Sequence, residues 1–108
     1  MISKLISKED FLQEIKNAVY QIDKEAKVIL FGSRARNEAK TESDWDILIL
    51  TPQKVDLKVE QLFRHKLFYL ELEHEQAIST FVYSISEWNT KHKITPLYKN
   101  IQKEGILI

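Results

Sequence analysis

The chain has 108 residues, enough for one domain with a modest core, and sixteen basic residues balance sixteen acidic ones. Balanced charge argues against a domain whose main task is sequence-independent nucleic-acid binding, because that task requires a basic surplus. The lack of cysteine excludes disulfides, thiolate zinc sites and cysteine nucleophiles, and it fits a reducing compartment. The sequence contains no apolar run long enough to span a membrane, so we expect a cytoplasmic protein with a single domain over residues 1–108.

The first predicted elements are a helix and a buried strand. Ser7 is a candidate N-cap, and apolar residues at helical spacing follow it to about Lys24. The stretch from Lys27 to Phe31 lacks polar alternation, which predicts a strand that is buried on both faces. We expect the helix to pack against the sheet to which this strand belongs.

The first strand leads into a turn with the sequence Gly32-Ser33-Arg34-Ala35-Arg36-Asn37. Glycine lets the backbone approach a ligand closely, and N–H groups at such a turn attract anions. Ser33 would either cap the turn or contact a phosphate. Arg34 and Arg36 would either reach phosphates or substrate, or lie on a solvated surface.

Two aspartates begin the second predicted strand. Because strand side chains alternate between faces, Asp44 and Asp46 share one face, and Trp45, Ile47 and Ile49 share the other. Acids within an apolar strand are costly unless they are paired or bound to a cation. A phosphate-accepting turn beside two such carboxylates is what metal-assisted phosphoryl or nucleotidyl transfer needs, with the carboxylates holding Mg²⁺.

The turn and the Ser43-Asp44-Trp45-Asp46 segment together resemble the signature of the nucleotidyltransferase superfamily that includes DNA polymerase β. The nearest likeness is to its minimal, single-domain branch. The resemblance and the predicted elements imply an α/β nucleotidyltransferase fold, with a small mixed sheet of at least three strands, helices on one side and the site at one edge. The resemblance also implies a catalytic pair that binds the metal, Asp44 and Asp46, and a nucleotide-binding set: Gly32, Ser33, Arg34, Arg36 and Ser43.

The sequence departs from the family pattern at two places. Asn37 stands where the family usually has glycine, although asparagine tolerates the positive φ that such a turn requires. The third predicted strand, from about Ala77 to Tyr83, has no acid where active members usually carry a third carboxylate. Ser79 or Thr80 aligns there, and Glu75 is a weaker substitute upstream. Since Mg²⁺ often uses only one or two protein carboxylates, the missing acid weakens turnover more than nucleotide binding.

A long helix is predicted between the second and third strands, from about Val55 to Glu73. Its wide apolar stripe indicates burial against more than one neighbour, or a partner interface. His65 and His74 lack metal-ligand spacing, and we expect both at the surface.

Two more helices and an apolar tail are predicted at the end of the chain. Ser84 and Glu87 form a capping box, and Thr95 followed by Pro96 is a typical helix start. The tail at residues 106–108 is a candidate edge strand or clamp.

The resemblance implies Mg²⁺-dependent transfer of a nucleoside monophosphate, with AMP from ATP expected, to a hydroxyl of a protein or another acceptor. Minimal nucleotidyltransferases often pair with a small helical HEPN-type protein as antitoxin and toxin. The expected partners are therefore a nucleoside triphosphate and either a HEPN-type protein or a second copy of the chain, without nucleic acid or membrane. The alternatives are a catalytically weakened nucleotide-binding or protein-interaction module and a nucleotide-sensing domain. The acceptor, the base and the oligomeric state are left open.

Overall fold

The computed structural model describes residues 6–108. The elements in chain order are α1 (Lys8–Ile22), β1 (Lys27–Phe31), β2 (Trp45–Thr51), α2 (Leu57–His74), β3 (Ile78–Ser84), α3 (Ile85–Trp88), α4 (Pro96–Glu104) and β4 (Ile106–Leu107). The predicted caps are confirmed: the side chains of Ser7, Ser84 and Thr95 accept main-chain N–H groups at the starts of α1, α3 and α4. None of the helices within residues 6–108 is both long enough and apolar enough to cross a membrane.

Four strands form one mixed sheet in the order β3-β2-β1-β4. Strand β1 is antiparallel to both β2 and β4, whereas β2 and β3 are parallel. A parallel pair needs a crossover connection, which α2 provides. With this topology, β1 ends at the same end of the sheet at which β2 and β3 begin. The predicted α/β class with a small mixed sheet is confirmed.

Helices cover both faces of the sheet, so the expectation of helices on one side was wrong. On one face, α1 and α2 pack on a core that contains Trp45 and Ile49. On the other face, Trp88 of α3 and Ile101 of α4 pack with Leu48. The physical reason lies in β2, which is apolar on both faces beyond Asp46 and therefore needs cover on both.

The C-terminal tail forms the predicted edge strand. Strand β4 pairs with β1 so that Ile106 lies opposite Leu30. Helix α4 ends at Glu104, and Gly105 alone separates it from β4. Continuing the antiparallel register by two residues sets Glu104 opposite Gly32, so the last turn of α4 is brought to the end of β1.

Helix α2 buries a narrower face than the sequence predicts. Only Phe63 and Leu67 are buried among its side chains. Five other large apolar side chains are more than half exposed: Leu57, Leu62, Phe68, Tyr69 and Leu72. Burial of the whole stripe is therefore not found within residues 6–108, and its use as a partner interface stays a prediction.

Candidate functional site

The structure brings Asp44 and Asp46 together at the end of the sheet where β1 ends. Trp45 points into the core, whereas Asp46 lies on the opposite face, between Phe31 of β1 and Ser79 of β3 in the sheet register. Asp44 directly precedes β2 and accepts a hydrogen bond from Ser79 Oγ at 3.0 Å. Two carboxylates and one hydroxyl thus meet at this point.

Ser79 occupies the position at which a third carboxylate would stand on β3. It is the sheet partner of Asp46, whereas Thr80 pairs with Ile47 and is buried. Of the two residues that the sequence alignment left open, the register selects Ser79. Strand β3 therefore offers a hydroxyl here, and Glu75 is the exposed left-handed residue that ends α2.

Gly32 permits the turn after β1 to lie against Asp46. Its φ is +75°, and an ideal Cβ added to it would stand 2.1 Å from Asp46 Oδ2. A side chain at this position would therefore collide with the carboxylate and would also adopt a backbone conformation that L-residues avoid. The glycine predicted for close ligand approach also permits close approach of one of the aspartates.

The segment after Gly32 makes a single helical turn. The Gly32 carbonyl accepts the main-chain N–H groups of Ala35 and Arg36 at 3.0 and 3.1 Å. Within residues 6–108 we find no hydrogen-bond partner for the N–H of Ser33, which leaves this donor available to an anion. The turn ends at Asn37, whose φ of 58° confirms that asparagine supplies the left-handed conformation.

A third carboxylate reaches the site from α4. Glu104 Oε2 accepts the main-chain N–H of Gly32 at 2.5 Å. Arg36 Nη1 donates to both carboxylate oxygens of Glu104, at 2.9 and 3.2 Å. The sequence analysis assigned this residue no role in the site. The available signal was an acid in the last turn of a helix, where the macrodipole favours basic residues.

Negative charge at the site is only partly compensated by protein groups. The pKa of Asp46 is raised, first because burial penalises its charged form and then because Asp44 and Glu104 repel it, whereas Arg36 lowers it. A divalent cation would relieve this repulsion. Carboxylate and hydroxyl oxygens of Asp44, Asp46 and Ser79 are hard donors of the kind that Mg²⁺ prefers, so the residues present fit this ion.

The side chains of two predicted nucleotide-binding residues make hydrogen bonds within the loop between β1 and β2. The Arg34 guanidinium lies 4.3 Å from the centre of the Trp45 ring, on the face opposite Asp46, and burial lowers its pKa. Its Nη2 donates to the carbonyl of Ser43 at 2.7 Å. The Ser43 hydroxyl accepts the N–H of Lys40 at 2.9 Å. Both side chains shape the loop, and their contact with nucleotide stays a prediction.

A second group of potential metal ligands lies between α1 and α2. His74 Nε2 is 2.5 Å from Glu14 Oε2 and 3.9 Å from Glu73 Oε2. The His74 side chain is 15% exposed and stands edge-on to Phe11, so the expectation of a surface position was wrong for His74, although His65 is exposed. The reason is that the last turn of α2 packs against α1. A histidine–carboxylate pair between the two helices accounts for the short distance between His74 and Glu14.

The fold is that of a nucleotidyltransferase domain. Residues 12–108 match the family model described as Nucleotidyltransferase domain, and the chain belongs to this family. A protein of Methanocaldococcus jannaschii, provisionally named protein adenylyltransferase MJ0141, is 36% identical over 76 residues. The matched region covers 68% of this chain and 77% of that protein.

Solved structures share the fold. A chain in the crystal structure of a toxin-antitoxin with AMP-PNP has a TM-score of 0.58 at 15% identity, covering 85% of this chain and 70% of that chain. A chain in a mutant of the toxin-antitoxin MntA-HpeT has a TM-score of 0.62 at 14% identity, covering 94% and 72%. The predicted nucleotidyltransferase fold is thereby confirmed.

Proposed function

We propose that this nucleotidyltransferase is Mg²⁺-dependent and transfers AMP from ATP to a hydroxyl of a partner protein. The observation that carries the proposal is the meeting of the Gly32 turn with Asp44 and Asp46 at one end of the sheet. Family membership supplies the reaction class. The name of the archaeal relative supports the adenylyl group and a protein acceptor.

Each part of the site has a role in this proposal. The N–H groups at Gly32 and Ser33 bind phosphate oxygens, and Arg36 compensates their charge. Asp44 and Asp46 would hold Mg²⁺, which when bound neutralises charge on the phosphates and aligns the acceptor with the leaving group. The acceptor oxygen bonds to the α-phosphorus, the α–β phosphoanhydride bond breaks, pyrophosphate leaves and the hydroxyl proton passes to solvent.

We further propose that the acceptor protein is a HEPN-type helical partner and that this chain is the antitoxin of the pair, in the cytoplasm. Two structural neighbours come from toxin-antitoxin assemblies, which supports a protein partner. The exposed apolar side chains of α2 supply a surface suited to such a partner, with a second copy of the chain as the alternative.

The nucleotide site is tested by titration calorimetry with Mg²⁺ and ATP. Asp44→Asn/Asp46→Asn should weaken binding at least about tenfold, because each lost carboxylate removes a ligand of a hard cation. Glu42→Gln is the matched control, since it removes an exposed carboxylate from the same loop. Wild-type protein that is folded but binds no Mg²⁺–ATP would overturn the proposal.

A second function is favoured by Ser79, which lies opposite Asp46 in the sheet. It offers a hydroxyl where the family resemblance implies a carboxylate. In this alternative the chain binds nucleotide without transferring it. Radiolabel from α-labelled ATP would then stay absent from a co-purified partner protein, although calorimetry still detects binding. Label on the partner that requires both Asp44 and Asp46 would establish transfer.

A further inference from the structure

Glu104 occupies the place that an anionic ligand would take at the turn after β1. We propose that its carboxylate is a built-in competitor of the nucleotide phosphates, bound to the turn in the free protein and displaced when a triphosphate enters. This inference rests on the proposed function, because it concerns the same phosphate-binding groups.

The competition follows from shared donors. The Gly32 N–H donates to Glu104 at 2.5 Å, and Arg36 Nη1 donates to the same oxygen at 2.9 Å. Both contacts join a carboxylate to a donor of the kind that binds phosphate, and the arginine contact is charge-assisted. A donor that is fully engaged by one anion cannot bind a second one, so a phosphate oxygen needs Glu104 to leave.

The Glu104 side chain has the freedom to leave without rearranging the fold. It is 23% exposed, so one side of it already faces solvent. The backbone on either side is fixed independently: the Gly105 N–H donates to the Ile101 carbonyl at 2.8 Å, and Ile106 pairs with Leu30 of β1. Rotation about side-chain bonds is therefore sufficient for the exchange.

A different role for Glu104 would be that of a third metal ligand. Within residues 6–108, however, three potential metal ligands have their ligand atoms within 4.8 Å of one another only at Glu14, Glu73 and His74, and this cluster includes neither Glu104 nor the aspartates. The Glu104 oxygens are instead taken by Gly32 and Arg36. The contacts thus favour an anion at the phosphate position, and the two roles predict opposite effects on affinity.

The test compares Glu104→Gln with Glu38→Gln. Glutamine has the shape of glutamate but no negative charge, so it competes weakly with an anion. Glu38 is a matched control, because it also pairs with Arg36, at 2.5 Å, but is 64% exposed, and the side-chain acceptor found for the Gly32 N–H within residues 6–108 is Glu104. Calorimetry would measure two probes: inorganic tripolyphosphate without metal, and Mg²⁺–ATP.

We expect Glu104→Gln to bind tripolyphosphate about fivefold more tightly than wild type, equivalent to about 1 kcal/mol, with Glu38→Gln within about twofold. Equal or weaker binding by a folded Glu104→Gln variant would overturn the inference, and weaker binding of Mg²⁺–ATP would indicate the metal-ligand role. Tighter tripolyphosphate binding without any Mg²⁺–ATP binding would uphold the competition while rejecting the proposed function.

A second measurement needs no variant. The chain contains two glycines, so protein labelled with ¹⁵N-glycine gives one amide signal from Gly32 and one from Gly105. Tripolyphosphate should shift the Gly32 signal, because its acceptor changes from carboxylate to phosphate. A saturating titration that leaves this signal in place would overturn the inference even if Glu104→Gln fails to fold.

Discussion

Replacing Gly32 by alanine tests why the turn can lie against the aspartate pair. The positive φ of +75° costs an alanine about 1–2 kcal/mol. The new Cβ would also stand 2.1 Å from Asp46 Oδ2, which forces this carboxylate out of its rotamer at a further cost of about 0.5–1.5 kcal/mol. We therefore expect Gly32→Ala to lower the free energy of unfolding by about 1.5–3.5 kcal/mol and to weaken Mg²⁺–ATP binding.

A double-mutant cycle separates the two costs. In an Asp46→Ala background the carboxylate is gone, and of the three nearest atoms Cβ of residue 46 remains, 3.3 Å from the added Cβ. Gly32→Ala should then cost only the backbone term, so the coupling free energy is about 1 kcal/mol. Urea denaturation of the four proteins, monitored by circular dichroism, gives these values. An equal cost of Gly32→Ala in both backgrounds would refute the argument from close approach.

Two further substitutions probe the sheet. Ser79→Asp places a carboxylate opposite Asp46. Without divalent ions, repulsion between the two like charges should lower the free energy of unfolding by about 0.5–1 kcal/mol. Excess Mg²⁺ should reverse this loss, which thermal melts would measure. Thr51→Val removes the buried hydroxyl that donates to Asp23 Oδ2 at 2.5 Å, which should cost about 1 kcal/mol at pH 7. The pKa of Asp23 is lowered mainly by this hydrogen bond. The contribution of the bond to the free energy of unfolding is therefore present above about pH 4 and is lost as the pH falls through the folded-state pKa of Asp23.

An outcome that would contradict the prediction can be named for each of the two substitutions, and Ser79→Asp also has a control. For Ser79→Asp the control is Ser86→Asp, an exposed position on α3 that should show no response to Mg²⁺. A Ser79→Asp variant that Mg²⁺ fails to stabilise would contradict a cation site beside Asp46. For Thr51→Val, a stability difference from wild type that stays constant between pH 7 and pH 3 would show that Asp23 is not the partner that matters.

Local patterns in the sequence determined most of the fold. Apolar periodicity places α1 and α2, and cap residues set the starts of three helices, because these features depend on interactions within a few residues. The alternation of strand side chains separates Trp45 from Asp46 by the same local rule. The turn sequence at Gly32 and the aspartate pair, which are close together in the chain, resemble the family to which residues 12–108 match.

The tertiary structure decided which distant groups meet. Glu104 lies 72 positions from Gly32 in the chain, and only the pairing of β4 with β1 brings the two together. The parallel register of β2 and β3 selects Ser79 as the neighbour of Asp46, and the packing of Arg34 on Trp45 turns that arginine away from the aspartates. Strand order and register depend on burying apolar surface across the whole chain, so no local pattern specifies them. The sequence alone therefore determines the turn and the aspartate pair, and the assembled sheet decides which charges surround them.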